Sequence, residues 1–434
     1  MGVKIPYGSP KVTYLGRQKY VMNPEWVPFS LDIPEGTASI LFAVFPNREN
    51  IFDCKVDTTG HLDYTITDTE GNSYTYGGGT SYTRTITYDF DTVSSATTSL
   101  GYKTVKITLT GDITYLLLNV SSNGYDNYLG IIINFINFNK MQPLNYFNNM
   151  NSDYDWYRNF EIFVIKHNNI TSCAAQFIVY GTSIIAIESR IKYSVQDTFN
   201  VTDFSNQFAI GISNSYGAVV DMQAYSNDFQ NTSKGINFSG QFSAAPYYGG
   251  PAIFLNLFEI TQDTSKGVNF QNQFGITNQS VRNYVNYDSL TKIIQDERSG
   301  TNYSYQFGMN STETLTYYVL FPKLLDLELT LNPSVTSSSA FTGFMTAHME
   351  SLKKVRFINP DPVNYPNFCT GLRTLYFEST KLDRAALIQL FNDLPNLTAV
   401  SATGNLYLAG TAGNADLLDE DKLIATNKGF TLHL

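Results

Sequence analysis

The spacing of apolar positions changes along this chain, and each change predicts a different element. From residue 1 to about 145 the apolar residues fall in short runs bounded by Gly, Pro, Asn or Asp, namely residues 39–46, 61–67, 82–88, 102–110 and 114–120. In the fourth run Val105, Ile107 and Leu109 alternate with Lys and Thr, the mark of a strand with one buried face. Gly111-Asp112 then predicts a tight turn into the fifth run, and the spacing of the set fits an antiparallel β-sandwich. The most apolar stretch, residues 129–138, is well short of the ~20 residues a membrane-spanning helix needs, and its β-branched content suits a strand.

Near the C-terminus one pattern recurs as Leu324-x-x-Leu327-x-Leu329, Leu352-x-x-Val355-x-Phe357, Leu372-x-x-Leu375-x-Phe377 and Leu397-x-x-Val400-x-Ala402. The irregular step of 20 to 28 residues is that of a leucine-rich repeat, in which each copy adds a short strand and the core forms between copies. Such a fold presents a face for binding and rarely carries catalysis. Asp383 predicts the N-cap of a helix over 384–394, with Leu387, Leu390, Phe391 and Leu394 on one face and Pro395 ending it. A second helix is predicted from about Asp419 to Lys428, with acids in its first turn and Gly429 as the stop. Together with Phe430–Leu434 it is expected to close the open end of the repeats.

Between these regions a different motif repeats. Asp203-Phe-Ser-Asn-Gln-Phe208, Asn237-Phe-Ser-Gly-Gln-Phe242, Asn269-Phe-Gln-Asn-Gln-Phe274 and Asn302-Tyr-Ser-Tyr-Gln-Phe307 follow one another at steps of 34, 32 and 33 residues. Phe204, Phe208, Phe238, Phe242, Phe270 and Phe274 are therefore expected to lock one copy onto the next, with Asn and Gln satisfying turn backbones. The alternative is an aromatic sugar-binding surface, but Phe at a fixed register is core more often than platform. The predicted fold is thus mainly β, with an N-terminal antiparallel β-sandwich (1–145), an aromatic, Asn-rich repeat region that begins the solenoid (146–315), and a leucine-rich-repeat-like β-solenoid with a helical C-terminal cap (316–434).

Composition narrows the partners. The chain has 434 residues, 30 Tyr, 30 Phe, only 15% charged residues and a net charge of −10, so it suits pleated surfaces and offers no basic patch for phosphates. Nucleic acid and membrane insertion are not expected. Cys54, Cys173 and Cys369 are too far apart for a CxxC site and read as small buried hydrophobes. His61, His167, His348 and His433 show no metal-ligand spacing. Asn151-x-Asp153-x-Asp155 opens like a calcium loop, but Trp156 stands where the turn needs Gly and Ile162 where it needs Glu. Gly77–Thr80 lacks the Lys and helix of a phosphate loop, and no Gly-x-Ser-x-Gly elbow occurs. The Asn-x-Ser/Thr triplets are what the composition alone supplies. No catalytic residue, cofactor or metal is expected, and the protein is not expected to be an enzyme.

The run Leu382–Pro395, then Val400–Asn405, then Ile424–Leu432, resembles the closing unit of BspA-like leucine-rich repeat proteins, which occur in Bacteroidetes and in tail or surface proteins of their phages, including crAss-like phages. The resemblance covers roughly the last quarter of the chain, with Phe357, Phe377 and Ala402 in place of Leu and no ladder Asn. It implies binding to cell surfaces and carries no catalytic residues. The first residues lack the apolar run of a secretory signal, which favours a virion protein, released by lysis, over an exported adhesin. The expectation is a phage tail-associated structural protein, a fibre or appendage component located in the virion. Its sandwich would attach to the particle, and it would contact other virion proteins, copies of itself and a host-surface glycan or protein. A bacterial cell-surface adhesin and a tail-borne glycan depolymerase are the alternatives.

Overall fold

The structure, a computed structural model, describes residues 172–174, 200–210, 222, 231–244, 252–276, 284–309 and 319–434 with their side chains, and elsewhere the backbone of the strands. The chain divides into two compact units that interleave in sequence. One comprises residues 1–172, 187–200 and 220–231; the other comprises residues 173–186, 201–219 and 232–434. Residues 232–434 thus lie in one unit, with no division near 315.

In the first unit, Thr37–Val44 lies between Gly130–Asn137 and Lys103–Asn119 and is antiparallel to both. Ile51–Asp68 pairs antiparallel with Lys103–Asn119, Ser73–Tyr76 and Arg84–Asp89. These strands belong to one sheet, and no second sheet faces it among the described residues, so the expected antiparallel sandwich is not what forms. The turn expected at Gly111-Asp112 is also absent. Residues 103–119 run on as one strand because the 18-residue partner offers edge along its whole length, and Gly111 pairs with Leu62 beside a bulge in that partner.

The second unit is built from parallel strands. We label them β1 (Val179–Gly181), β2 (Ile210–Ile212), β3 (Ala244–Pro246), β4 (Ala252–Leu255), β5 (Glu259–Gln262), β6 (Val285–Tyr287), β7 (Lys292–Glu297), β8 (Val319–Leu320), β9 (Asp326–Leu331), β10 (Lys354–Ile358), β11 (Thr374–Tyr376), β12 (Gly404–Tyr407) and β13 (Phe430–His433). Two helices, α1 (Arg384–Asp393) and α2 (Asp419–Thr426), follow β11 and β12. The parallel sets are β1-β2-β3, β4-β6-β8, β5-β7-β9-β10 and β11-β12-β13. The described region is therefore mixed α/β, with parallel sheets and few helices. It shows no closed solenoid, which corrects the mainly-β sandwich-plus-solenoid expectation. Parallel pairing follows from the repeat, because strands that recur in the same direction every ~33 residues lie side by side with their copies in the same sense.

Burial alternates along these strands as one covered face requires. In β7 and β9 the pattern is strictly half-buried, buried, half-buried, with Ile293, Gln295 and Glu297 inside the first and Leu327, Leu329 and Leu331 inside the second. The set β5-β7-β9-β10 joins strands of the aromatic repeat to strands of the leucine-rich repeat in one register. The two sequence patterns are thus successive parts of one stack.

The last leucine-rich copy is misread from spacing. Thr398–Val400 form a 3-10 turn and Val400 is 43% exposed, whereas Leu397 is buried. The strand that pairs with β11 is β12, where Leu375 lies opposite Leu406, so Leu406 and Leu408 take the inner positions assigned to Val400 and Ala402. The helices do fall where capping and periodicity place them. Asp383 Oδ1 accepts from the Ala386 N–H at 2.8 Å, Asp421 Oδ2 accepts from the Leu418 N–H at 2.8 Å, and Gly429 turns the chain at φ +90°.

Candidate binding surface

Each aromatic motif makes the same local structure for a stated reason. The first residue caps its own turn, with Asp203, Asn237, Asn269 and Asn302 Oδ1 accepting the N–H two residues on at 3.0–3.2 Å. The chain then reverses through two left-handed residues. One is Asn206, Gly240, Asn272 or Tyr305, and the other is Phe208, Phe242, Phe274 or Phe307. Left-handed Phe is strained, and it is held because its ring is locked between its copies.

Two aromatic columns result. Phe204, Phe238, Phe270 and Tyr303 stack at 5.4, 5.6 and 5.8 Å, and Phe208, Phe242, Phe274 and Phe307 at 5.1, 5.4 and 5.1 Å, with interplanar angles of 14° or less. All eight rings are at most 1% exposed. Between the columns runs a row of fully buried glutamines. Gln241 donates to Gln207 at 3.0 Å, Gln273 to Gln241 at 3.1 Å and Gln306 to Gln273 at 3.0 Å. The glutamines bond to one another across copies, whereas turn backbones were their expected partners. Of the leucine-rich positions, Leu324, Leu327, Leu329, Leu352, Val355, Phe357, Leu372, Leu375, Phe377 and Leu397 are at most 2% exposed. None of these side chains can meet a ligand.

Sequence reading missed a fifth copy, Phe341-Thr-Gly-Phe-Met345. Phe341 stacks on Tyr303 at 4.8 Å, Gly343 and Met345 are left-handed, and Phe344 occupies the glutamine position. The signal was present as a Phe spaced four residues from an apolar partner, but it lies 38 residues after Tyr303 and has lost the Gln.

At this junction the buried carboxyl of Glu297 receives the Gln306 Nε2–H at 2.7 Å, while its Oε2 and the Oε1 of Gln306 have no partner. Burial pushes the Glu297 carboxyl up to about 8, against the lowering effect of the Gln306 hydrogen bond. The Tyr303 hydroxyl donates to the Glu297 carbonyl at 2.9 Å and accepts from the Asn332 N–H at 3.1 Å. Burial likewise pushes the Cys173 and Cys369 thiols up, away from the thiolate that nucleophilic chemistry uses. The cluster of Glu297, Gln306 and Tyr303 is enclosed and ends the polar row.

The outer face carries the groups a partner could touch. Across β5-β7-β9-β10 the registered column Glu259, Lys292, Asp326, Lys354 alternates in charge, and Lys354 Nζ lies 3.4 Å from Asp326 and 3.2 Å from Glu328. Across β11-β12-β13 the column is aromatic. Tyr376 stacks on Tyr407 at 4.5 Å, Tyr407 stacks on His433 at 4.2 Å, and His433 Nε2 is 3.0 Å from Asn405 Oδ1. All three rings are half-buried. His348 is half-buried at the Leu320 bridge, and no group of His, Cys, Asp or Glu among the described residues could hold a metal. Asn151–Asp155, Gly77–Thr80 and the side chains of Cys54, His61 and His167 lie outside the described residues. No helix among the described residues is long and apolar enough to cross a membrane. No family model, curated protein or solved structure matches this chain.

Proposed function

We propose that this protein is a structural component of a phage virion, tail-associated, in which the repeat stack holds a rigid outer face against a host envelope or a neighbouring appendage protein. The observation that carries the reading is the division of labour in each copy. Phe, Gln and Leu are buried in the interior, while the outer columns Glu259–Lys354 and Tyr376–His433 repeat at strand spacing and remain accessible. Repeated groups on a stiff support suit multivalent contact, where each contact can be weak. Assembly as a homo-oligomer belongs to the same proposal, because symmetry multiplies that contact. The assignment to a virion rests on the resemblance of residues 382–432 to the closing unit of BspA-like proteins of Bacteroidetes and their phages.

Antibody against the full chain, applied to a lysed source culture, tests the reading. Label that sediments with purified particles and decorates their tails is the expected result. Label confined to cell envelopes would replace it with the bacterial adhesin.

A further inference from the structure

Where the fifth aromatic copy meets β11, the surface of the second unit folds inward around a cavity of about 270 Å³. Ser338, Thr342, Thr346, Arg373, Thr374 and Tyr376 supply its polar lining, and Phe341 and Phe344 its apolar part. Its size is near the lower end of small-molecule pockets, about 300 Å³, so it suits one monosaccharide-sized unit.

The chemistry of the lining narrows the occupant. Tyr376 is braced against Tyr407 and offers a ring that cannot easily turn away. Thr342 Oγ1 and Thr346 Oγ1 donate to the carbonyls of Ser339 and Gly343, at 3.0 and 3.3 Å, which leaves their oxygens as acceptors for ligand hydroxyls. Arg373 donates from Nε to the Thr370 carbonyl at 3.3 Å and forms no ion pair among the described residues. No carboxylate lines the cavity. In a chain of net charge −10, a guanidinium with free donors beside hydroxyl acceptors and an aromatic wall is matched by a ligand with hydroxyls, an apolar ring face and one carboxylate.

We infer that the cavity is a subsite for one acidic sugar, a uronic acid or similar carboxylated hexose, within a surface glycan. This rests on the proposed contact with a host surface and names its chemistry. A neutral sugar would leave the guanidinium unanswered, and a phosphate-rich ligand would call for more than one cation.

The full chain titrated with glucuronate, and with glucose as the neutral probe, tests the inference by ligand-observed NMR. Saturable glucuronate binding is expected. In Arg373→Gln it should weaken at least about tenfold, the scale of a lost charge-assisted contact. Glucose should bind more weakly and be indifferent to that change. Arg373→Lys, which keeps the charge without the planar fork, should fall between. The melting midpoint of Arg373→Gln should stay near that of the parent, because the Arg373 side chain makes a single hydrogen bond, to the Thr370 carbonyl, and the bond from the Asn405 N–H to the Arg373 carbonyl is kept. Absence of saturable glucuronate binding at about 10 mM, or equal binding by parent and Arg373→Gln, would overturn the inference. Particle labelling is a separate readout. Labelled tails without glucuronate binding would remove this subsite alone, and envelope labelling with binding intact would remove the virion reading alone.

Discussion

Gln306 donates from Nε2 to Glu297 Oε1 at 2.7 Å, inside a core where both side chains are fully buried. The same nitrogen donates to Gln273 at 3.0 Å, so this pair ends the glutamine row. Beyond it Phe344 replaces the glutamine, and Leu331 stands opposite Glu297 in the sheet. The carboxyl is therefore the last member of this buried polar row.

That position makes stability depend on pH. The folded chain keeps the Glu297 proton up to about 8, while an ordinary carboxyl releases it near 4.5, so between these values the folded state binds more protons than the unfolded one. The contribution of Glu297 to stability is fully present below pH 4.5 and is lost as pH rises to about 8. Glu297→Gln keeps an acceptor for Gln306 and removes the charge. It should raise stability at pH 8 by about 2–4 kcal/mol and flatten this part of the profile. Denaturation midpoints taken across that range for both proteins check it, and parallel profiles would refute the buried-acid account.

Phe238 sits between Phe204 and Phe270, with ring centroids at 5.4 and 5.6 Å. Truncation to Ala leaves a void that two other locked rings cannot fill, and should cost about 3–5 kcal/mol. Phe242→Ala should behave alike. Urea unfolding measures this; an unchanged midpoint with lost surface binding would mean that these rings are a ligand platform.

Gly275 is required by close approach. A Cβ there would collide with the Tyr305 carbonyl and lie 2.7 Å from the Gly308 carbonyl, both backbone atoms of the next copy. Gly275→Ala should cost about 2–3 kcal/mol, because the layers must separate to admit it. At Gly410, where φ is +72° and the nearest atom would be Ser379 Oγ at 3.2 Å, the Ala variant should cost only about 1 kcal/mol of backbone strain. Thermal melts of the two variants rank them; the reverse order would falsify the spacing argument.

Asp393 ends α1 with a carboxylate, against the helix dipole, and does so because its oxygens are needed elsewhere. Asp393 Oδ2 accepts from Arg356 Nε at 2.6 Å and from the Phe357 N–H at 3.2 Å, which ties α1 to β10. Asp393→Ala should destabilise by about 1–3 kcal/mol and loosen α1 first. Hydrogen exchange of α1 amides would show faster opening, and unchanged exchange would mean that Leu387, Leu390 and Phe391 hold the helix alone.

Much of the second unit could be read before folding. The steps of 34, 32 and 33 residues place like residues on like, and that alone demands parallel copies with shared aromatic columns. The caps at Asp383 and Gly429 are equally local, because they depend on hydrogen bonds and dihedrals within a few residues. Elsewhere spacing misled. Val400 fits the leucine-rich template but lies in an exposed turn, because β11 takes its partner from Leu406. The Gly111-Asp112 turn fails for the same kind of reason: a long neighbouring edge outweighs a weak local turn signal.

The sequence by itself therefore determined the period of the aromatic copies, their inner columns and the ends of the helices, since these follow from short-range geometry and, for the aromatic copies, a nearly constant step. Tertiary structure alone decided which strand closes the last copy, how Glu297 comes to be buried beside Gln306, and how Arg373 and Tyr376 reach a common cavity with Thr342 and Thr346. Those outcomes depend on the approach of segments from 9 to about 30 residues apart, and such contacts are chosen by packing and desolvation across the whole unit, which no local pattern encodes.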